Sequence, residues 1–204
     1  MNYNTGNNFT DRQLVERVLG GDNPAFALII KNTERIVAQI VFKMISNPED
    51  RKDIAQDIYL KAFKKLGSFR FESKLSTWIA QISYNACMDY LRKKKLILAG
   101  NIFEENENGI DMPGITNIRS SGDPGTEIND FILKKELSAI LKTEIEKLSL
   151  VYKTLISLYH NEELSYEEIG QITGLPAGTV KSYLFRARKT LKDNLLLSYK
   201  KEDL

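Results

Sequence analysis

The sequence predicts an all-α fold of two helical domains joined by a flexible acidic linker. Apolar residues recur at spacings of three and four along most of the chain, as in amphipathic helices, and no stretch alternates as a β-strand does. Capping residues precede several of these segments, and glycine or proline follows them. The periodicity is lost over 96–127, where six carboxylates accompany one arginine. We therefore place the domains at 1–95 and 128–204.

Four helices are predicted in the first domain. The first begins at a capping box formed by Thr10 and Gln13. The second ends before Pro48, the third ends at Gly67, and the fourth covers 76–95. The apolar positions expected to be buried are Leu14, Val15, Val18, Leu19, Phe26, Ile29, Ile30, Ile36, Val37, Ile40, Val41, Met44, Ile54, Ile58, Ala62, Leu66, Ile79, Ile82, Ala86 and Tyr90.

The loop between the third and fourth helices, GSFRFESKL, combines aromatic and charged residues. Loops seldom expose two rings such as Phe69 and Phe71 without a partner or a core to receive them. The following helix ends in four consecutive cations, Arg92 to Lys95. Stacking faces beside phosphate partners are what unpaired nucleic-acid bases require. Trp78 is open to two interpretations, a core residue or part of such a platform.

Two supporting helices, 128–147 and 148–159, are predicted ahead of a helix pair in the second domain. Their apolar positions are Ile132, Leu133, Leu137, Ile140, Leu141, Leu148, Tyr152, Leu155 and Leu158. In the pair, Ser165 and Glu168 form a capping box, Gly174 suits a left-handed cap, and Pro176 stops the first helix.

The last helix has one apolar and one cationic face. Its apolar stripe is Val180, Leu184, Ala187, Leu191 and Leu195. The opposite face carries Lys181, Ser182, Phe185, Arg186 and Lys189, with Arg188 at the flank. Five cations and no carboxylate lie between Pro176 and Lys192. A basic amphipathic helix alone is usually only solvated surface, but behind a capped helix and a glycine turn it suits the major groove of DNA.

Composition excludes several classes of protein. The 204 residues carry a net charge of +2, so nucleic-acid binding has to come from local clusters. A single cysteine, Cys87, and a single histidine, His160, leave no disulfide, zinc set or catalytic cluster. We expect no metal, no cofactor and no enzymatic activity. The N-terminus lacks a secretion-signal pattern and no apolar run approaches ~20 residues, so we expect a cytoplasmic protein without membrane insertion.

Three blocks in order resemble the sigma-70 family of bacterial RNA polymerase initiation factors, in its extracytoplasmic-function form. The blocks are DIAQDIYLKAF, TWIAQISYNACMDYLRKKK and LSYEEIGQITGLPAGTVKSYLFRARKTL. The resemblance covers nearly the whole chain and implies sigma region 2 over 1–95 and sigma region 4 over 128–204. The acidic linker resembles the segment that threads the polymerase cleft, where its charge would mimic nucleic acid.

The resemblance also implies roles for matching positions. Those matching the polymerase-docking face are Asp53, Gln56 and Asp57. Those matching the reader of the minus-10 element, where a flipped base and the opened strand are held, are Phe69, Phe71, Ser73, Lys74, Asn85, Asp89 and Arg92. Those matching the minus-35 helix are Lys181, Ser182, Tyr183, Phe185, Arg186, Arg188 and Lys189.

Core RNA polymerase and promoter DNA are the partners this resemblance implies, with an anti-sigma factor as a further one. Two positions depart from the family pattern. Ser149 replaces a usual proline and bears on a helix boundary, while Tyr183 replaces a common arginine and bears on which promoter is read. The alternative function is a free-standing helix-turn-helix regulator, which would bind duplex DNA without polymerase. A nucleic-acid enzyme would need a cluster of catalytic side chains that the sequence does not offer.

Overall fold

Eight α-helices and one short 3₁₀ turn form the part of the chain that the computed structural model describes. That part is the backbone of residues 9–98 and 128–202, with side chains for 9–95 and 137–196. The helices are α1 (Asp11–Leu19), α2 (Asn23–Met44), α3 (Pro48–Lys65), α4 (Leu75–Leu98), α5 (Ile128–Glu146), α6 (Leu150–His160), α7 (Tyr166–Thr173) and α8 (Ala177–Glu202). These ranges contain no strand, so the predicted all-α class is confirmed. Residues 99–127, most of the predicted linker, lie outside the described ranges, and 96–98 continue α4.

The first four helices bury one apolar face each, as their spacing predicts. The capping box at Thr10 and Gln13 is present, with the Gln13 amide oxygen 2.9 Å from the Thr10 nitrogen. Ile29, Ile58 and Ile79 are fully buried where α2, α3 and α4 meet. Leu19 was expected to be buried and is instead 58% exposed. It is the last residue of α1, so no following turn covers it.

Cys87 is a packing residue of α4, as expected. Its side chain is fully buried within the first four helices, and burial raises the pKa of its thiol to about 12. The thiolate is therefore not populated near neutral pH. Among the described residues, no helix is both long and apolar enough to cross a bilayer, and no cluster of three or more metal-binding side chains occurs.

Helix α6 supports the last two helices. Ser149 is its N-cap and accepts a hydrogen bond from the Tyr152 nitrogen at 3.4 Å, so the serine side chain caps the start of this helix. Leu155 and Leu158 are almost fully buried. Two leucines of α5, predicted to join this layer, do not: they are exposed, whereas Ile145 near the end of the helix packs against the core. These two are Leu137 and Leu141.

The two halves of the chain pack against each other. Helix α6 lies on α2 and α7 lies on α4. Ion pairs join the halves where they meet: Lys74 reaches Glu168 at 2.8 Å and Arg35 reaches Glu162 at 3.2 Å. The hydrogen bond from Lys74 lowers the pKa of the Glu168 carboxyl. This contact brings the helix pair beside the loop that precedes α4.

Candidate nucleic-acid and polymerase interfaces

The helix pair α7–α8 forms as the local sequence predicts. The hydroxyl of Ser165 accepts from the Glu168 nitrogen at 3.2 Å, and a Glu168 carboxylate oxygen accepts from the Ser165 nitrogen at 3.0 Å. Gly174 ends α7 with a left-handed φ of 75°, a conformation that costs glycine little. Pro176 then directs the chain into α8 at Ala177. Local hydrogen bonds and backbone preferences thus set where α7 begins and ends, and the hydrogen bond from the Val180 N–H to the Pro176 carbonyl opens α8.

Burial of the apolar stripe fixes the face that α8 presents. Val180, Leu184 and Ala187 are fully buried against α6 and α7. Leu191 and Leu195, farther along the predicted stripe, are half-buried. Because three buried positions span two helical turns, α8 has little freedom to rotate about its axis.

The sequence analysis missed Gly170, in the middle of α7. A Cβ added there would lie 2.7 Å from the carbonyl oxygen of Leu175, in the turn between the two helices. The backbone of the turn therefore packs directly on α7. A glycine inside a short helix is itself a signal, because it costs up to about 1 kcal/mol relative to alanine and usually has a packing reason.

Six of the predicted minus-35 residues are exposed and the seventh is half-buried. The exposed ones are Lys181, Ser182, Phe185, Arg186, Arg188 and Lys189. Phe185 is 69% exposed, so its ring lies on the outer face of the helix. Tyr183 is half-buried, with its ring edge-on to Tyr152 at 5.7 Å between centroids. Arg188 is exposed but already has partners.

Those partners of Arg188 belong to the end of α6. Its guanidinium lies 4.9 Å from the ring centroid of Tyr159, and its Nε is 3.4 Å from Nε2 of His160, which accepts. Tyr159 also stacks on Tyr166 at 5.3 Å. Burial, followed by the charge of Arg188, lowers the pKa of His160. His160 thus supports a side chain of α8 and has no catalytic partner among the described residues.

This cluster predicts a pH dependence of stability. With its pKa lowered in the folded state, His160 contributes stability that is fully present above its ordinary value of about 6.5 and is lost as pH falls through the lower folded value. We expect the free energy of unfolding to decrease from pH 7.5 to pH 5.5, measured by urea denaturation. His160→Gln keeps an acceptor for Arg188 and should flatten this part of the profile. An equally steep profile in the variant would contradict the assignment.

The loop before α4 holds an aromatic cluster that is partly buried. Phe69 is 7% exposed, and its ring lies 4.7 Å from that of Phe71 and 5.2 Å from that of Trp78. Phe71 is 37% exposed and has a left-handed φ of 58°, uncommon for a residue with a side chain. Trp78 is half-buried. Phe71 is therefore the ring accessible for stacking, and Phe69 supports it from the core.

A cavity of about 300 Å³ opens beside this cluster. Its walls are Ser68, Phe69, Arg70, Glu72, Ser73, Thr77, Trp78, Gln81 and Gln171. Most come from the loop and the first turns of α4, and Gln171 comes from α7. Lys74, at the rim of the loop, is held by Glu168 of the same helix. In this arrangement α7 covers one side of the cavity.

The remaining minus-10 residues form a stripe on α4. Asn85, Asp89 and Arg92 are exposed at spacings of four and three, so they share a face. Asp89 and Arg92 form an ion pair of 3.6 Å. The stripe continues from the cavity wall at Gln81 toward the cations that end the helix. The loop, the cavity and this stripe are therefore contiguous on one side of the first four helices.

A separate surface lies on α3. Asp53, Gln56 and Asp57 are exposed, and within the described residues no ion pair or hydrogen bond of their side chains is found. Leu60 (51% exposed) and Phe63 (43% exposed) continue the surface toward the end of the helix. An acidic stretch followed by exposed apolar side chains is suited to a protein partner.

Comparisons with known proteins identify two segments of this chain that match family models. Residues 29–97 match the family model for sigma-70 region 2, and residues 138–191 match the model for sigma-70 region 4. The ECF RNA polymerase sigma factor SigW of Bacillus subtilis is 32% identical over 184 residues, covering 90% of this chain and 96% of that protein. The ECF RNA polymerase sigma-E factor of Haemophilus influenzae is 34% identical over 187 residues, covering 91% and 95%.

Two solved structures share the fold. CnrH, solved in complex with the cytosolic domain of CnrY, superposes with a TM-score of 0.61 at 20% identity, covering 91% of this chain and 96% of that chain. The sigma factor RpoE of Bartonella quintana, solved with the anti-sigma factor NepR, gives a TM-score of 0.58 at 23% identity, covering 83% and 96%.

Proposed function

We propose that the two halves of this chain bind different promoter elements. The chain belongs to the ECF group of the sigma-70 family of RNA polymerase sigma factors and directs promoter-specific transcription initiation. The α7–α8 pair binds the minus-35 element as duplex DNA. The loop before α4, with the exposed stripe of α4, holds the opened minus-10 strand. The observation that carries the proposal is that one chain has two surfaces of different chemistry, a cationic helix face and an aromatic loop beside a cavity.

The upstream half of the proposal depends on α8. Its buried stripe sets the outward direction of the exposed cations, and a helix fixed in this way can enter the major groove with Lys and Arg toward phosphates or guanine edges. Lys181 and Arg186 lie in the central turns of that outer face and are not held by any residue of the described chain. Arg188, held by His160, is better placed for a phosphate than for a base edge.

Substitutions in this face give a quantitative prediction. We expect Lys181→Ala or Arg186→Ala to weaken minus-35 binding by about 1 to 3 kcal/mol if the side chain contacts a base edge. A phosphate contact would weaken binding uniformly across promoter sequences and lower the salt dependence. Footprinting by the reconstituted holoenzyme, on several promoter sequences and at several salt concentrations, distinguishes a base contact from a phosphate contact. An unchanged footprint for both variants would remove α8 as the reader.

The downstream half depends on the loop. An unpaired base needs a ring to stack on and a pocket to enter, and Phe71 and the 300 Å³ cavity offer these side by side. Lys74 and Arg92 add positive charge for the backbone. Because Glu168 holds Lys74 and Gln171 lines the cavity, α7 has to move away before an opened strand reaches this surface.

Core RNA polymerase is the proposed partner of the α3 surface, and the polymerase supplies all covalent chemistry. This chain acts as a dissociable factor in the cytoplasm that positions the enzyme and stabilises strand opening. An anti-sigma factor is a further proposed partner, since a structural neighbour was solved with one. The acidic linker is proposed to lie in the polymerase cleft.

The test is transcription of a supercoiled plasmid library of genomic fragments by purified core polymerase with and without this protein, with transcript starts mapped by sequencing. We expect a set of starts that needs the protein and shares two upstream elements. Gel-shift assays with the same promoters should show tight binding only when polymerase is present. Tight duplex binding by the protein alone, with no new transcript starts, would favour a free-standing regulator and overturn the proposal.

A further inference from the structure

The first helix contacts the loop before α4 at three points along its length. At the start of the loop, a Cβ added to Gly67 would lie 3.7 Å from Cδ2 of Leu19. In the middle, the guanidinium of Arg12 lies 4.7 Å from the ring centroid of Phe71. At the end, a carboxylate oxygen of Asp11 accepts a hydrogen bond from the Leu75 nitrogen at 2.8 Å. Helix α1 therefore follows the whole loop.

The contact made by Asp11 determines where the loop ends. Leu75 is the first residue of α4 and is 2% exposed, so its backbone N–H cannot rely on water. The first N–H groups of a helix have no partner within the helix, and a buried one left unpaired is costly. Asp11 supplies the missing acceptor from another helix. The start of α4, and with it the wall of the cavity, is tied to α1.

The contact made by Arg12 is with Phe71, the residue of the loop that has a strained backbone. A phenylalanine with a φ of 58° is strained. It keeps this conformation only where contacts with surrounding residues outweigh the strain. The Phe69 ring lies 4.7 Å from the Phe71 ring between centroids, and the Arg12 guanidinium lies 4.7 Å from the Phe71 centroid. Within the described residues, the ion pair of Arg12 is a weak one with Glu16 at 4.0 Å. Its guanidinium is thus available to hold the ring.

We infer that Asp11 and Arg12 are positioning residues for opened-strand recognition, acting through Leu75 and Phe71. This inference rests on the proposed function of the loop. Helix α1 holds Phe71 in the orientation in which a base can stack and fixes the cavity wall beside it. Neither residue needs to touch DNA.

The test measures binding of holoenzyme to a fluorescent single-stranded oligonucleotide with the non-template minus-10 sequence of a promoter recovered in the transcription experiment. Arg12→Gln should weaken binding about fivefold, the effect of one lost cation–π contact. Phe71→Leu removes the π face, and the double variant should bind no worse than Phe71→Leu alone, because Arg12 acts through that ring. Effects that multiply, with a reduced salt slope, would mean that Arg12 contacts phosphate directly and would overturn the inference.

Asp11 provides a second test with a conservative rescue. Asp11→Ala removes the acceptor and should weaken strand binding about tenfold, whereas Asp11→Asn keeps a side-chain oxygen and should restore most of the affinity. Equal losses in both variants would contradict a hydrogen-bonding role.

Arg17→Gln is the matched control. Arg17 lies on the same helix and covers Phe9 at 4.5 Å, with Asp22 as its ion-pair partner, so it makes a similar contact away from the loop. We expect strand affinity within about twofold of the parent protein, even if the melting temperature falls. If Arg12→Gln also changes only the melting temperature, Arg12 is merely structural and the inference fails. If the parent protein yields no promoter-specific transcripts, the proposed function itself fails.

Discussion

Replacing Gly170 by alanine is expected to lower the free energy of unfolding by about 3 kcal/mol, the upper part of the usual range for overpacking a well-packed site. The added Cβ would meet the carbonyl oxygen of Leu175 at 2.7 Å, and that oxygen belongs to backbone that no rotamer change can move. Relief requires the turn between α7 and α8 to shift. Because α8 follows that turn directly, its buried stripe would lose register with α6 and α7.

Gly178 offers the matched control for this substitution. It lies in the first turn of α8, and nothing is within 4 Å of a Cβ placed there. Gly178→Ala should be neutral or stabilise the protein by up to about 1 kcal/mol, since alanine loses less backbone entropy than glycine in a helix. Urea denaturation of both variants gives the comparison, and minus-35 footprinting should show a loss for Gly170→Ala alone. Equal stability of the two would mean that the turn on α7 is looser than the structure indicates.

The parts of the fold that could be predicted from sequence are those determined within a few residues. Both capping boxes join residues three positions apart, and Gly174 needs only its own backbone preference. Periodicity identified the buried faces for the same reason, because one helix presents a fixed side to whatever core exists. It went wrong at Leu19 and Leu137, which lie at predicted apolar positions but are exposed in the folded chain.

The site was less predictable, because its chemistry depends on contacts between distant residues. Phe69 and Phe71 look equivalent in the sequence, yet one is buried and the other is turned outward by a left-handed backbone. The contact of Arg188 with His160 spans 28 positions, and the ion pair of Lys74 with Glu168 spans 94. A pattern of neighbouring residues cannot predict contacts between positions so far apart in the sequence.

The surface of α3 was only partly predictable from the sequence. Its residues were singled out through a family resemblance, and the structure adds that all three are exposed and share one side of the helix. Asp53 and Asp57 stand four residues apart, a spacing at which like charges destabilise a helix by a few tenths of a kcal/mol. Neither carboxylate forms an ion pair with a side chain in the described part of the chain. A pair that is unfavourable for the isolated helix suggests a partner that supplies the missing cations.

Replacing Asp53 and Asp57 together by alanine is therefore expected to weaken binding to core polymerase about 100-fold, or about 2.7 kcal/mol. Carboxylates that pair with cations of a partner lose those contacts and leave the partner's charges unpaired, which commonly costs 2 kcal/mol or more. Folding should be unaffected or slightly improved, since both side chains are exposed and repel each other. Competition against labelled parent protein for core polymerase gives the affinity, and thermal unfolding gives the stability.

The control has to remove the same charge elsewhere, because the chain's overall field also influences association. Glu16 and Glu34 are exposed carboxylates on α1 and α2, and replacing both by alanine changes the net charge equally. If the loss of polymerase affinity came from long-range electrostatic attraction, the two double variants would lose affinity equally, and added salt would reduce both losses. A loss confined to the α3 variant and persisting at high salt requires direct contact at that face. Normal polymerase affinity in the α3 variant would instead exclude this face as the docking surface.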